Sequence, residues 1–98
     1  MMTKMNKKTA ERVANTLKAI AHPVRLRIIE CLENDEKCVN KIVECVGGKQ
    51  SITSQQLNMM KDKGVLACRR DGVKVYYRIA NPNVIKLLHC IGSHCKNK

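Results

Sequence analysis

Apolar residues from Thr9 to Ile20 recur at steps of three and four positions, a spacing that predicts an amphipathic helix. A second helix is predicted from Pro23, because proline fits the first helical turn, where its missing amide proton costs nothing. An acidic turn at residues 33–36 leads to a third short helix, which Gly47 and Gly48 end. The pattern therefore predicts three consecutive helices in the first half of the chain.

A fourth helix is predicted to begin near Gln50 or Ser51 and to run to about Lys63, with Gly64 closing it. It is rich in Ser, Thr and Gln, whose side chains offer hydrogen-bonding groups to base edges. A short helix, a glycine-containing turn and a second, polar helix make up the helix-turn-helix pattern. This segment therefore indicates DNA binding.

After Gly64 the apolar period changes from 3.6 to 2, which indicates β-strands. Two such runs, residues 65–70 and 73–79, flank Asp71-Gly72, a pair that suits a two-residue hairpin turn. Asn81-Pro82 then opens a last helix. The predicted fold is mostly α with a β-hairpin, in the order ααααββα.

The composition adds a prediction about assembly. The 98 residues suit a single domain, residues 1–98, in which residues 1–8 are expected to be flexible and residues 96–98 to form a tail. The chain is 44% hydrophobic, yet it has no Phe, no Trp and only two Tyr. Aliphatic, Met and Cys side chains must therefore form the core, which favours helix packing completed by a subunit interface.

The formal net charge of +11 makes a polyanion the first partner to consider. Residues 36–98 carry twelve basic and four acidic side chains, so most of the positive charge lies in the second part of the chain. The alternative is that this charge only confers solubility. Because no signal peptide and no apolar run of about 20 residues is visible, we expect a cytoplasmic protein that does not enter a membrane.

Five segments, Ala21 to Leu26, Gln50 to Leu57, Lys63 to Leu66, Asp71-Gly72 and Val75 to Ile79, together carry a family resemblance. In this order and spacing they resemble the ArsR/SmtB family of winged helix-turn-helix repressors. The resemblance implies a homodimer paired through its first and last helices, with the fourth helix in the major groove of operator DNA. In that family a metal ion, a metalloid or a sulfur oxidant releases the repressor.

Ten residues are predicted to hold double-stranded DNA. Those on the fourth helix suit base contacts, and Gln can pair with adenine through both of its amide atoms. The cations suit phosphate contacts, which supply most of the affinity and make it depend on salt. As alternatives, Ser51 caps the helix and Thr53 and Ser54 pack against the third helix. The predicted set is Lys49, Ser51, Thr53, Ser54, Gln55, Gln56, Lys61, Arg69, Arg70 and Lys74.

The resemblance also implies candidate metal ligands. Cys38 is similar to the third-helix cysteine of the thiolate metal sensors, although Asn40 stands where a companion cysteine is expected; the alternative is that Cys38 is a small core residue. His94 matches a ligand of the family's zinc site between subunits. Together with Cys90 and Cys95 it forms a candidate site for zinc or another soft metal or metalloid.

Cys31 and Cys95 resemble the pair of cysteines, one late in helix two and one late in helix five, of sulfide- and persulfide-responsive members. Three hypotheses about the effector therefore stay open: release by a thiol-reactive sulfur species, release by zinc, cadmium or arsenite, and no effector at all.

Other classes of protein fit the sequence less well. An enzyme is not indicated, because the chain has no phosphate-binding glycine loop and no Cys-x-x-Cys. A metal-storage module fits the cysteine count but not the helix-turn-helix pattern.

Overall fold

The computed structural model describes residues 4–96, and the side chains of residues 4–93. Its elements follow in this order: α1 Lys7–Ile20, α2 Pro23–Cys31, β1 Lys37–Cys38, α3 Val39–Val46, α4 Gln50–Asp62, β2 Leu66–Asp71, β3 Lys74–Ile79 and α5 Pro82–Lys96. The five predicted helices and the hairpin are confirmed. Within the described part of the chain, no helix is both long and apolar enough to cross a membrane.

Side-chain caps set the start of the first two helices. The side chain of Asn6 accepts a hydrogen bond from the backbone amide of Thr9 at 2.8 Å, so α1 begins at Lys7. The helix thus includes the last two of residues 1–8, whose flexibility stays a prediction. At α2, Nδ1 of His22 accepts from the amide of Val24 at 3.1 Å, and Pro23 occupies the first helical turn as predicted.

The sheet has three strands in the order β1-β3-β2, all antiparallel. The two-residue strand β1 was not predicted, because two residues are too few to show a period. Asp71 pairs with Lys74, so the hairpin turn consists of Gly72 and Val73 rather than Asp71 and Gly72. Gly72 has a φ of 66°, which a residue with a side chain rarely adopts.

The core lies where α2, α3 and α4 meet the base of the hairpin. Its fully buried side chains are aliphatic, Met or Thr, as the lack of Phe and Trp requires. Tyr77 of β3, which is 6% exposed, is the aromatic residue of the core cluster. By contrast, α1 leaves Val13 and Leu17 more than 40% exposed, so its apolar stripe is only partly covered within one chain.

Candidate nucleic-acid interface

Helix α4 is the second helix of the helix-turn-helix, and its two faces differ sharply. Gly47, with a φ of 70°, ends α3 and allows the turn into α4. Leu57 and Met60 hold the inner face in the core with no exposed surface. The opposite face leaves Ile52 and Gln55 exposed to solvent. This outer face is therefore the surface of α4 that a DNA groove can receive.

The amino-terminal end of α4 carries no side-chain cap. Lys49 is the N-cap residue and makes no side-chain capping hydrogen bond. Ser51 lies one residue inside the helix and is exposed, so the alternative that Ser51 caps the helix is wrong. The free backbone amides of this first turn, together with the Ser51 hydroxyl, are donors for a phosphate.

Thr53 does not belong to this outer face. Its side chain has no exposed surface, and within the described residues its Oγ1 has no hydrogen-bond partner. The prediction that Thr53 contacts DNA is therefore wrong, because the helical period turns this position inward with Leu57 and Met60. Ser54, the next residue, is half-buried.

Gln56 is held by a residue of another helix. Nε of Arg25 in α2 donates to Oε1 of Gln56 at 2.7 Å, and a terminal nitrogen of Arg25 donates to the carbonyl of Lys18 at 3.1 Å. This bond uses one of the two lone pairs of the Gln56 oxygen and fixes the orientation of the side chain towards Arg25. The predicted pairing of Gln with adenine needs both amide atoms, so the exposed Gln55 suits it better than the half-buried Gln56.

Arg69 in the hairpin is engaged by acidic and aromatic neighbours. Its Nε lies 3.0 and 3.1 Å from the two carboxylate oxygens of Glu36, and a terminal nitrogen also donates to Glu36. Its guanidinium carbon lies 4.6 Å from the ring centre of Tyr76. The hydrogen bond from Arg69 lowers the pKa of the Glu36 carboxyl below its ordinary value. Arg69 is therefore already partnered before any DNA arrives.

The other predicted phosphate contacts are free cations. Lys49, Lys61, Arg70 and Lys74 are all exposed, and none of them forms an ion pair with a carboxylate of residues 4–93. Arg70 and Lys74 flank the hairpin turn, whose tip residue Val73 is 96% exposed. The hairpin thus projects a short wing with unpaired positive charges on either side of its tip.

The cysteines are arranged differently from the predicted pairing. Cys31, at the end of α2, forms a disulfide with Cys45 near the end of α3, with a Cα–Cα distance of 6.3 Å. The predicted partner Cys95 has no described side chain. Cys38 is half-buried at the N-cap of α3, and Cys90 is exposed; both are free thiols.

The described side chains hold no group of three metal-ligating residues. The predicted site of Cys90, His94 and Cys95 stays a prediction, because His94 and Cys95 lie outside the described side chains. Nε2 of His89 lies 2.6 Å from a carboxylate oxygen of Glu33, in the turn that follows α2.

Comparison with known proteins agrees with this geometry. Residues 22–67 match the family described as "Bacterial regulatory protein, arsR family". Over 76 residues the chain is 41% identical to the uncharacterized HTH-type transcriptional regulator Rv0081 of Mycobacterium tuberculosis, covering 76% of this chain and 67% of that protein.

Two solved structures are similar over nearly the whole chain. The homodimeric winged helix-turn-helix DNA-binding domain of Mb0332 from Mycobacterium bovis has a TM-score of 0.78 and 31% identity, covering 98% of this chain and 91% of that one. The antimony-specific transcriptional repressor AntR has a TM-score of 0.86 and 27% identity, covering 99% and 91%. The chain belongs to the ArsR family and is a winged helix-turn-helix, DNA-binding transcriptional repressor rather than an enzyme.

Proposed function

We propose that this repressor binds double-stranded operator DNA as a homodimer in the cytoplasm, and that a thiol-reactive sulfur species acting on its cysteines releases it. The observation that carries the regulatory part is the Cys31–Cys45 disulfide, which joins α2 to the first helix of the helix-turn-helix. Disulfides in reducing compartments are usually transient and redox-sensing rather than structural. This supports a sulfur-reactive input.

The outer face of α4 reads the operator in the major groove. Gln55 is exposed with both amide atoms available, and Ser51 adds a hydroxyl near the helix start. Ile52 is 47% exposed on this face, where an aliphatic side chain suits the methyl group of thymine. Arg70 and Lys74 of the wing contact the phosphate backbone and supply sequence-independent affinity.

Homodimerisation through α1 and α5 is supported by apolar surface that one chain leaves open. Val13 and Leu17 of α1 border the same groove as Leu87 of α5, and all three are 38–44% exposed. Ile91, one turn further along α5, is 51% exposed. A second copy of the chain buries these exposed apolar side chains, in keeping with the homodimeric state of the Mb0332 domain.

A soft metal or metalloid is the second candidate input. The similarity to the antimony-specific repressor AntR favours it, and Cys90 with His94 and Cys95 on α5 supplies candidate ligands, while Cys38 is a weaker one. The predicted sulfur-sensing pair of Cys31 and Cys95 also remains a prediction. A repressor without an effector is the third candidate.

A gel-shift titration of reduced protein against the DNA upstream of its own gene separates these candidates. We expect the reduced protein to shift the DNA, with an affinity for DNA that falls steeply as the salt concentration rises. Polysulfide should abolish the complex, whereas zinc, cadmium and arsenite should not. Leu17→Glu should dissociate the dimer in sedimentation experiments and abolish the shift. If reduced protein gives no shift at any salt concentration, the repressor function is wrong; release by a metal alone would identify the second candidate.

A further inference from the structure

The disulfide between Cys31 and Cys45 lies entirely within one chain and joins the end of α2 to the last turn of α3. It needs neither a second subunit nor any residue of α5. Resting on the proposed function, we infer that this pair is a thiol–disulfide exchange site for small sulfur compounds that contain an S–S bond, and that its oxidation releases the operator.

The exposure of the two cysteines assigns their order of reaction. Cys45 is exposed to solvent, whereas Cys31 is only 9% exposed. A reagent in solution therefore reaches the Cys45 sulfur first. Cys31, whose Cα lies 6.3 Å from that of Cys45, is within the range that a disulfide requires and acts as the second thiol.

The reaction proceeds in two exchange steps. The Cys45 thiolate attacks one sulfur of the reagent, the S–S bond of the reagent breaks, and the other sulfur leaves as the first thiol, so that Cys45 is held in a mixed disulfide. The Cys31 thiolate then attacks the Cys45 sulfur, which forms the protein disulfide and expels the second thiol. The protein loses two electrons and two protons, and the reagent gains both as it becomes two thiols.

The position of Cys45 connects this reaction to the DNA-reading helix. It stands two residues before Gly47, which forms the turn into α4. Unbonded sulfur atoms lie about 1.5 Å further apart than bonded ones, so reduction lets the end of α3 move away from α2. Because Arg25 of α2 also holds Gln56 of α4, a change in the α2–α3 spacing alters how α3 and α4 sit together.

Three other described cysteines provide internal comparisons. Cys38, Cys68 and Cys90 are free thiols, and the last two are exposed. Cys68 lies in the wing opposite Tyr77, away from the α2–α3 contact. Exposure alone therefore does not set Cys45 apart, because Cys68 and Cys90 are exposed too. What sets Cys45 apart is a second thiol, that of Cys31, close enough to form a disulfide with it. Cys68→Ser is the matched control, because it removes an exposed thiol without touching the pair.

The test combines disulfide mapping with operator binding on the full chain. Reduced protein is treated with sodium tetrasulfide or glutathione disulfide, alkylated, digested and analysed by mass spectrometry; we expect the peptides of Cys31 and Cys45 to be joined. Oxidation should weaken operator affinity roughly tenfold or more, and dithiothreitol should restore it. Cys45→Ser should bind as reduced wild type does and ignore the oxidant, while Cys68→Ser should respond normally.

Failure of the Cys31–Cys45 inference and failure of the proposed repressor function give different results. A Cys31–Cys95 bond in the map, or undiminished release of Cys45→Ser by the same oxidant, overturns this inference and leaves the proposed repressor standing. If reduced wild type binds no operator, the proposed function fails instead. Since Cys45 is exposed, its replacement by Ser leaves the core intact, and circular dichroism of the variant verifies this.

Discussion

The Arg25 side chain of α2 donates to the amide oxygen of Gln56 on α4, with the nitrogen and oxygen 2.7 Å apart. The hydrogen bond is partly buried and spans 31 positions of sequence. It fixes one end of the second helix to the middle of the DNA-reading helix. Gln56 thereby belongs to the support of α4 more than to its outer face.

We predict that Arg25 and Gln56 are energetically coupled. Arg25→Ala and Gln56→Ala should each lower the free energy of unfolding, and the double variant should lose less than the sum by about 1 kcal/mol, since the two substitutions remove the same hydrogen bond. Urea unfolding of the four proteins measures this coupling. Full additivity of the two single effects would contradict the assigned contact.

Base preference provides a second prediction. Gln55→Ala should change the preferred operator sequence, with a loss of about 1 to 3 kcal/mol at one base pair, because both amide atoms of Gln55 are free to pair. Gln56→Ala should change the preference less. Binding selection from a randomised operator library, followed by sequencing, compares the two variants; a larger change in preference for Gln56→Ala would refute the assignment.

Neighbouring arginines of the wing should differ in their contribution to DNA binding. Arg70 forms no ion pair among the described residues, so Arg70→Ala should reduce the slope of log affinity against log salt by about 0.9 for each subunit, or about 1.8 for the homodimer. Arg69 is already neutralised by Glu36, so Arg69→Ala should change the slope less. Fluorescence anisotropy over a salt series measures both slopes. Equal reductions would show that Arg69 leaves Glu36 on binding DNA.

The Glu36–Arg69 pair also predicts a pH dependence. The pKa of Glu36 is lowered in the fold, first by the hydrogen bond from Arg69. A carboxyl with a lowered pKa stabilises the fold above its unfolded pKa, and this contribution is lost as pH falls through the folded value. The stability difference between wild type and Glu36→Gln should thus be present at about pH 6 and shrink below about pH 4.5 in urea unfolding.

The sequence predicted every helix and the hairpin, because their apolar positions repeat over at least two turns or several strand residues. It missed β1, whose two residues show no period, and misjudged Thr53, whose polar type masks an inward position. The sequence did not predict the Cys31–Cys45 disulfide either. That contact depends on how α2 packs against α3, which no local pattern encodes.

The buried hydroxyl of Thr53 should lower the stability of the fold. Its Oγ1 has no partner among the described residues and no exposed surface. Thr53→Val replaces the hydroxyl with a methyl group of similar shape and should raise the free energy of unfolding by about 1 kcal/mol. Ser51→Ala, an exposed change on the same helix, is the control and should have little effect in urea unfolding. A destabilised Thr53→Val would reveal a hidden partner for the hydroxyl.

The final prediction concerns the stability of the two redox forms. The disulfide closes a loop of 15 residues, from Cys31 to Cys45, which restricts the unfolded chain. A loop of this length corresponds to about 3 kcal/mol of added stability in the chain-entropy description. Dithiothreitol should therefore lower the free energy of unfolding of oxidised wild type by about this amount, while Cys45→Ser should be unaffected. Urea unfolding at one protein concentration makes the comparison, because dimerisation also stabilises the fold. Should reduction leave the stability of wild type unchanged, the bond does not persist in the folded protein in solution.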